Sequence, residues 1–399
     1  MSEKRRDNKN RVLRSGESQR KDGRYAYKYT DDAGKVCFAY AWKLVPTDST
    51  PAGKREDVSL REKEAEIRKD LADGIDTTGK NMTVCDLYEK QNRQHGNVRY
   101  NTTQGRRRLM RQLEADPLGS RPIASVKPSD AKEWAIRMKE QGFAYKTISN
   151  DKRSLKAAFY TAMQDDYIRK NPFDFQLNTV IEDDTEPKVP LTPEETESLL
   201  SFMETDAVYW KYRDEVIILL NTGLRVSELC GLTETDIDFE HGAIRVDHQL
   251  LRNKDGYYVE KPKTDNGIRE IPMTPAAREA LGRVVRNRRE SKPATIDGYT
   301  GFLFLMKDGR PKTATCYDAM FRGLVKKYNK THEKPLPKSM TPHTMRHTFC
   351  TNWANAGMTP KVLQYIMGHA NITMTLNYYA HATFDSARAE MARLIALAG

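Results

Sequence analysis

Cysteine is scarce: Cys37, Cys85, Cys230, Cys316 and Cys350 are scattered and have no C-x-x-C spacing, which excludes a disulfide framework and a zinc ribbon. These thiols read as reduced and mostly buried. No apolar run approaches the roughly 20 residues of a bilayer crossing, and the leader MSEKRRDNKNRVLRSGES is basic and polar, unlike a secretory signal. The expected location is therefore cytoplasmic, with no membrane partner. No glycine-rich phosphate loop is present, so ATP is not implied. Acid is in deficit, with 55 Asp and Glu against 66 Lys and Arg and a formal net charge of +11. Such an excess suits a densely anionic partner, of which nucleic acid is the commonest.

Charged residues make up 30% of the 399 and apolar ones 38%, enough for several modest cores in a heavily solvated chain. The length points to two or three domains. After the leader, Arg24 to Tyr29 alternates with Tyr25, Tyr27 and Tyr29 on one face, and Val36, Phe38, Tyr40 and Trp42 alternate with Cys37, Ala39, Ala41 and Lys43. The spacing predicts a hairpin turning at Asp31 to Gly34. Ser59 with Glu62 forms a capping box for a charged helix ending near Gly74. The stretch GIDTTGK, 74–80, has linker composition.

From Met82 to about Phe173 the period is helical. Thr102 caps a helix carrying Arg106, Arg107, Arg108 and Arg111, Ser129 caps one carrying Trp134 and Met138, and Thr147 caps a long one ending near Ile168. On this last helix Ile148, Leu155, Phe159 and Ala162 form one stripe, with Lys152, Arg153 and Lys156 off it. Taken alone, each basic cluster is an ordinary solvated helix face. Asn171 to Pro190 reads as a second linker. Thr192, Pro193 and Glu195 open a capped helix. Residues 243–251, 257–260 and 268–273 alternate between Gly or Asp turns and predict a three-stranded antiparallel sheet. The rest is helical. The expected fold is multidomain α+β: a small sheet plus helix at 1–80, a helical unit at 81–180, and a mixed, mainly helical unit at 190–399 with a tail helix.

Four segments in the last unit carry chemistry: TGLRVSEL around Arg225, PKTDNGIREIP around Lys263, PHTMRHTF around His343 and Arg346, and GHANITMTLNYYAH from His369 to His381. In chain order they supply Arg, Lys, His-x-x-Arg, His and Tyr. That order resembles the tyrosine recombinase (phage-type integrase) family, closest to integrases of conjugative transposons, and the likeness runs the whole length of the chain.

The chemistry suits these residue types. A phosphodiester under attack spreads negative charge over its non-bridging oxygens, which planar guanidinium groups hold two at a time. The resemblance places Arg225 and Arg346 there. Tyrosine, with a pKa of about 10, needs a base or a strong positive field to act as nucleophile, and His343, three residues before Arg346, is the candidate proton acceptor. By resemblance, Lys263 protonates the departing 5′ oxygen and His369 bonds a non-bridging oxygen. Two tyrosines compete as nucleophile. The pattern Tyr379-Ala380-His381 favours Tyr379, which is chosen, whereas the spacing from His369 is one residue longer than the commonest pattern and favours Tyr378. His343 and His347 lie four apart, but Thr344 follows His343 where a zinc helix has Glu, so neither metal nor cofactor is expected.

The resemblance further implies site-specific integration and excision of a mobile element through a 3′-phosphotyrosine ester and a Holliday junction. It implies arm-type DNA binding by the N-terminal unit through residues such as Arg24 and Lys28. Core-site phosphates would fall to the helical unit through Arg107, Lys152, Arg153 and Lys156, with this unit and the catalytic one clamping the core site. A homo-tetramer on double-stranded DNA, an excisionase-type accessory protein, a bacterial nucleoid setting and a tail that docks on the next protomer complete the expectation. A type IB topoisomerase would share the ester chemistry and a DNA-binding regulator the fold. The separate N-terminal unit argues against the first and the full residue set against the second.

Overall fold

The computed structural model describes residues 5–30, 34–72, 82–96, 98–187, 189–287 and 294–379, and residues 388, 391, 392, 395 and 396 of the tail. Two compact units result, 1–186 and 187–399. The linker expected at 74–80 lies outside the described residues. Among the described residues no helix is long and apolar enough to cross a membrane.

The first unit opens with an antiparallel sheet, β1 (Glu17–Gln19), β2 (Tyr25–Thr30) and β3 (Val36–Ala41), in that order. The predicted hairpin is β2–β3, with Lys28 opposite Phe38 and Ala26 opposite Tyr40. Strand β1 escaped the sequence reading because three residues are too few to show a period. Tyr25, Tyr27 and Ala41 point inward with Leu44 against Leu60 and Ile67 of helix α1 (Leu60–Ala72). Ser59 and Glu62 do form the predicted cap, since Glu62 accepts from both the backbone and the hydroxyl of Ser59 at 2.9 and 2.7 Å.

Four helices follow: α2 (Val84–Gln94), α3 (Tyr100–Ala115), α4 (Pro128–Glu140) and α5 (Tyr145–Gln164). Ile148, Leu155, Phe159 and Ala162 are buried together, as their stripe requires. The observed caps precede the predicted ones by two or three residues. In α4, Pro128 takes the first helical position and Asp130 reaches back to the Lys127 N–H at 2.8 Å, so Lys127 rather than Ser129 is the cap. Helices α3 and α5 likewise start ahead of Thr102 and Thr147. The expected linker at Asn171 is in part core: Phe173, Leu177 and Ile181 are buried with Trp134 and Phe159, because isolated apolar residues in an aperiodic segment can still fill a bundle's end.

The second unit holds α6 (Pro193–Thr205), α7 (Arg213–Thr222), α8 (Val226–Gly231), strands β4 (Ile237–Asp238), β5 (Ala243–Val246), β6 (Gln249–Asn253), β7 (Gly256–Glu260) and β8 (Arg269–Pro272), then α9 (Pro275–Arg286), α10 (Ala314–Thr331), α11 (Pro342–Asn355), α12 (Pro360–Met367) and α13 (Ile372–Leu376). Thr192 and Glu195 exchange the predicted capping bonds at 3.2 and 2.9 Å. Helix α7 is apolar on nearly every side, with Val216, Ile218 and Leu219 fully buried, and it packs on α9 and α11. Truncating such a residue to Ala typically costs about 2–5 kcal/mol.

The predicted single sheet is in fact two. Strands β4-β5-β8 form one antiparallel sheet, and β6–β7 stand apart as a hairpin. The run 243–251 breaks at Asp247 and His248 because the His248 ring turns inward to the Gly231 carbonyl, 2.7 Å away, and β6 then packs on α8. Of the tail stripe, Met391 and Ile395 are helical and exposed, and Leu394 lies outside the described residues.

Candidate active site

Two helix ends closed by glycine frame a cluster of cationic side chains. Gly223 ends α7 with φ +65° and Gly368 ends α12 with φ +58°, left-handed conformations that favour glycine. A Cβ on Gly223 would lie 2.6 Å from the Phe349 ring, and one on Gly368 would lie 3.0 Å from Arg269 Nη1. Each turn presents carbonyl oxygens inward. Arg346, on α11, donates through Nη1 to the Gly223 carbonyl at 2.5 Å and through Nη2 to that of Met367. Arg225, which caps α8, donates through Nη2 to the Gly368 carbonyl at 2.9 Å.

Beneath them lies a buried ion pair. Glu228 is bound by Arg269 at 2.9 and 3.2 Å and by Arg225 at 2.6 Å. Burial by itself would raise the Glu228 carboxyl, but Arg269, Arg225 and Arg346 outweigh it and bring its pKa down to about 2. Two guanidinium groups thus bind one carboxylate, and a third, Arg346, acts on it through its charge. Burial first, then repulsion from Arg225, pushes Arg346 down to about 9, so it stays charged at neutral pH. His369 is buried with Nδ1 3.0 Å from the Thr375 hydroxyl. Its burial, reinforced by Arg346, Arg225, Arg269 and His343, brings its pKa down to about 4, so the ring is neutral at working pH. A Thr375 hydroxyl that donates to Nδ1 leaves the ring proton on Nε2, as a donor to an anion.

The expected residues fall into three groups. Arg225, Arg346 and His369 meet in the pocket. His343 is exposed on the first turn of α11, near enough to His369 to act on its charge. Lys263 is exposed on the loop after β7. The two tyrosines divide: Tyr378 lies flat against His369, ring centres 6.5 Å apart, and 4.9 Å from His347, whereas the Tyr379 hydroxyl donates to the Met358 carbonyl. Burial raises both phenols above the ordinary value, and for Tyr378 Arg346 works against that rise.

Glu228 and Arg269 were overlooked in the sequence although both stand in the quoted segments. The signals were there. Glu228 follows Arg225 at capping-box spacing, and alternation along β8 puts Arg269 on the inward face with Ile271.

The basic residues expected to touch DNA lie in the first unit. On the sheet's outward face Phe38 and Tyr40 are exposed and stack at 6.3 Å, Lys28 stands opposite Phe38, and Arg24 covers both Tyr40 and Trp42 at 5.6 and 5.7 Å. Arg107 is exposed on α3. Lys152, Arg153 and Lys156 line an open groove with Tyr145, Ser149 and Gln176. Lys152 donates to the Phe175 carbonyl at 2.5 Å and Lys156 pairs with Asp174 at 2.6 Å.

Residues 190–386 match the phage integrase family, and residues 1–71 match the DNA binding domain of tn916 integrase. The transposase from transposon Tn1545 of Streptococcus agalactiae serotype V is 62% identical over 395 residues, covering 99% of this chain and 97% of that one. Among solved structures, the Tn1549 transposon integrase, residues 82–397 in an R225K form with a circular intermediate DNA, is 68% identical at a TM-score of 0.75, covering 78% of this chain and 99% of that one. Its Y379F form with transposon right end DNA is 67% identical at the same TM-score of 0.75, covering 79% of this chain and all of that one.

Proposed function

The chain belongs to the phage integrase family, and from that premise we propose how its residues divide the work of cutting and rejoining DNA. It is a tyrosine recombinase of the transposon integrase type, which integrates and excises a mobile element. The observation that carries the mechanism is the cluster in which Arg225 and Arg269 bind the single carboxylate of Glu228 while Arg346, near enough to lower its pKa, is fixed on the Gly223 and Met367 carbonyls. A pocket with fixed surplus positive charge stabilises an anion that forms there, and its donors need little reorganisation as the charge develops.

Arg225 and Arg346 hold the non-bridging oxygens of the scissile phosphate, and His369, neutral, donates to one of them. Tyr379 attacks phosphorus and the 5′ oxygen departs, leaving a 3′-phosphotyrosine ester that keeps the bond energy for religation. His343 takes the phenolic proton, and Lys263 gives a proton to the leaving oxygen. Tyr379 must first leave its bond to Met358. Tyr378 stays packed on His369 and His347. The Tn1549 forms carry substitutions of the same two residue types, R225K and Y379F.

The N-terminal sheet takes arm-type sites with the face that bears Arg24, Lys28, Phe38 and Tyr40, and Arg107, Lys152, Arg153 and Lys156 take core-site phosphates. Four protomers exchange strands through a Holliday junction, with an excisionase-type protein setting direction, on the nucleoid of a bacterial cytoplasm. The test is covalent trapping on a nicked suicide duplex in the presence of a chelator. A protein–DNA adduct that survives denaturation is expected, and its absence without added divalent ions contradicts the mechanism.

A further inference from the structure

His248, between β5 and β6, is 4% exposed, and both its ring nitrogens meet acceptors. Nδ1 lies 2.6 Å from Asp247 Oδ1 and Nε2 lies 2.7 Å from the Gly231 carbonyl oxygen. A carbonyl cannot donate. Burial would raise the Asp247 carboxyl, but its bond to His248 and the charge of Arg245 hold it below the ordinary carboxylate range, so it does not donate either. The ring thus bridges the Asp247 carboxylate and the Gly231 carbonyl. Around the ring, Asp236 Oδ2 is 3.9 Å from Nε2, Arg245 on β5 balances the far oxygen of Asp247 at 2.6 Å, and the Tyr299 ring lies 4.2 Å away.

Asp236, Asp247 and His248 are grouped closely enough to suggest a metal site. Their donor atoms are already engaged. Asp236 Oδ2 accepts from Thr233 N and Oγ1 at 2.7 and 2.6 Å, and both nitrogens of His248 are in use.

The position of this ring gives it a task. Gly231 is the last residue of α8, whose terminal carbonyls lack helical partners, and Arg225 caps the same helix at its other end. Strand β6 runs so close to Gly231 that a Cβ there would sit 3.0 Å from Leu250 N and 3.1 Å from Gln249 Cα. Ser227 Oγ donates to Gln249 Oε1 at 2.9 Å. Among the described residues strand β6 pairs with β7 alone, and β7 ends at Glu260, just ahead of Lys263. The hairpin rests on α8 through these contacts, and the loop with Lys263 joins it to β8, with Asn266 donating to the His369 carbonyl at 3.4 Å.

We propose that His248 is a positioning residue: by bridging Asp247 and Gly231, it fixes the β6–β7 hairpin on α8 and so sets the position of Lys263. This rests on the reading of Lys263 as proton donor to the 5′ oxygen. The experiment compares the full-length chain with His248→Gln, Asp247→Asn and Lys263→Ala on two nicked suicide duplexes, one with the ordinary bridging 5′ oxygen and one with sulfur in its place. A thiolate, whose acid has a pKa of about 8.5, departs without a donated proton.

The expected result is a loss of about 30-fold or more in cleavage of the oxygen duplex for all three variants, with DNA affinity within about twofold, and rates on the sulfur duplex within about threefold of the unaltered chain. Lys263→Ala unrescued by sulfur overturns the proton-donor role and the proposal with it. Lys263→Ala rescued while His248→Gln and Asp247→Asn are not, or these two cleaving the oxygen duplex normally, overturns the positioning role alone. Asp247→Asn changes one atom of a partly exposed side chain, so the comparison stands even where His248→Gln fails to fold.

Discussion

The cations of the pocket and those of the helical bundle are built on opposite principles. Arg346 is buried, its guanidinium fixed on two carbonyls, and the whole arrangement is tied to Glu228. Lys152, Arg153 and Lys156 line an open groove, and Lys156 is paired with an exposed aspartate. A fixed charge in a dry site interacts strongly and needs little rearrangement, whereas a solvated lysine tracks a phosphate loosely and is screened by salt. The first kind suits a transition state, the second a DNA backbone.

The sharpest way to break this contrast is Arg346→Lys, which keeps the charge and loses the planar fork. Cleavage at saturating DNA is expected to fall by about 10²–10³-fold, with affinity measured by anisotropy nearly unchanged. An equal loss in affinity would mean that the pocket merely binds. Next in size is Glu228→Gln, which leaves Arg269 buried without its counter-ion. A loss of roughly 3 kcal/mol in urea unfolding at pH 7 is expected. Because the folded-state pKa of Glu228 is depressed to about 2, its contribution is present above the unfolded value and fades as pH falls toward about 2. The gap between variant and parent should narrow on that side.

Asp151, buried in the bundle beside Arg108, sharpens the comparison from the other unit. Burial outweighs Arg108 and raises its pKa to about 6. Its contribution to stability is therefore present below the unfolded value and lost as pH rises through about 6. Asp151→Asn should remove that loss, leaving the bundle about 1–2 kcal/mol more stable relative to the parent at pH 7 than at pH 4; an unchanged pH dependence would contradict it. Smallest are Lys152→Ala and Lys156→Ala. Each should lower affinity a few-fold and the salt slope by about one without altering cleavage at saturation.

The segments that meet around Glu228 were legible because each couples a residue type to a local break: TGLR at the glycine that ends α7, and PHTMR at a proline-opened helix. The pocket's foundation was harder to read. Arg269 resembles a surface residue in a strand with basic and acidic neighbours, and only alternation with Ile271 turns it inward. The split of the sheet was not legible at all, since it depends on His248 meeting Gly231, a contact across the fold. Cap positions slipped by about two residues where Pro128 and Asp130 competed with Ser129. Between the two tyrosines, spacing arguments point both ways, and the pocket contact of Tyr378 sets geometry against sequence pattern.

That choice is the most direct test of the account. The adduct trapped on a nicked suicide duplex is digested with protease, and the peptide that carries the nucleotide is sequenced by mass spectrometry, for the parent chain and for Tyr378→Phe and Tyr379→Phe. The account predicts the nucleotide on Tyr379, no adduct from Tyr379→Phe, and adduct retained in Tyr378→Phe. A nucleotide on Tyr378, or an undiminished adduct from Tyr379→Phe, would contradict it.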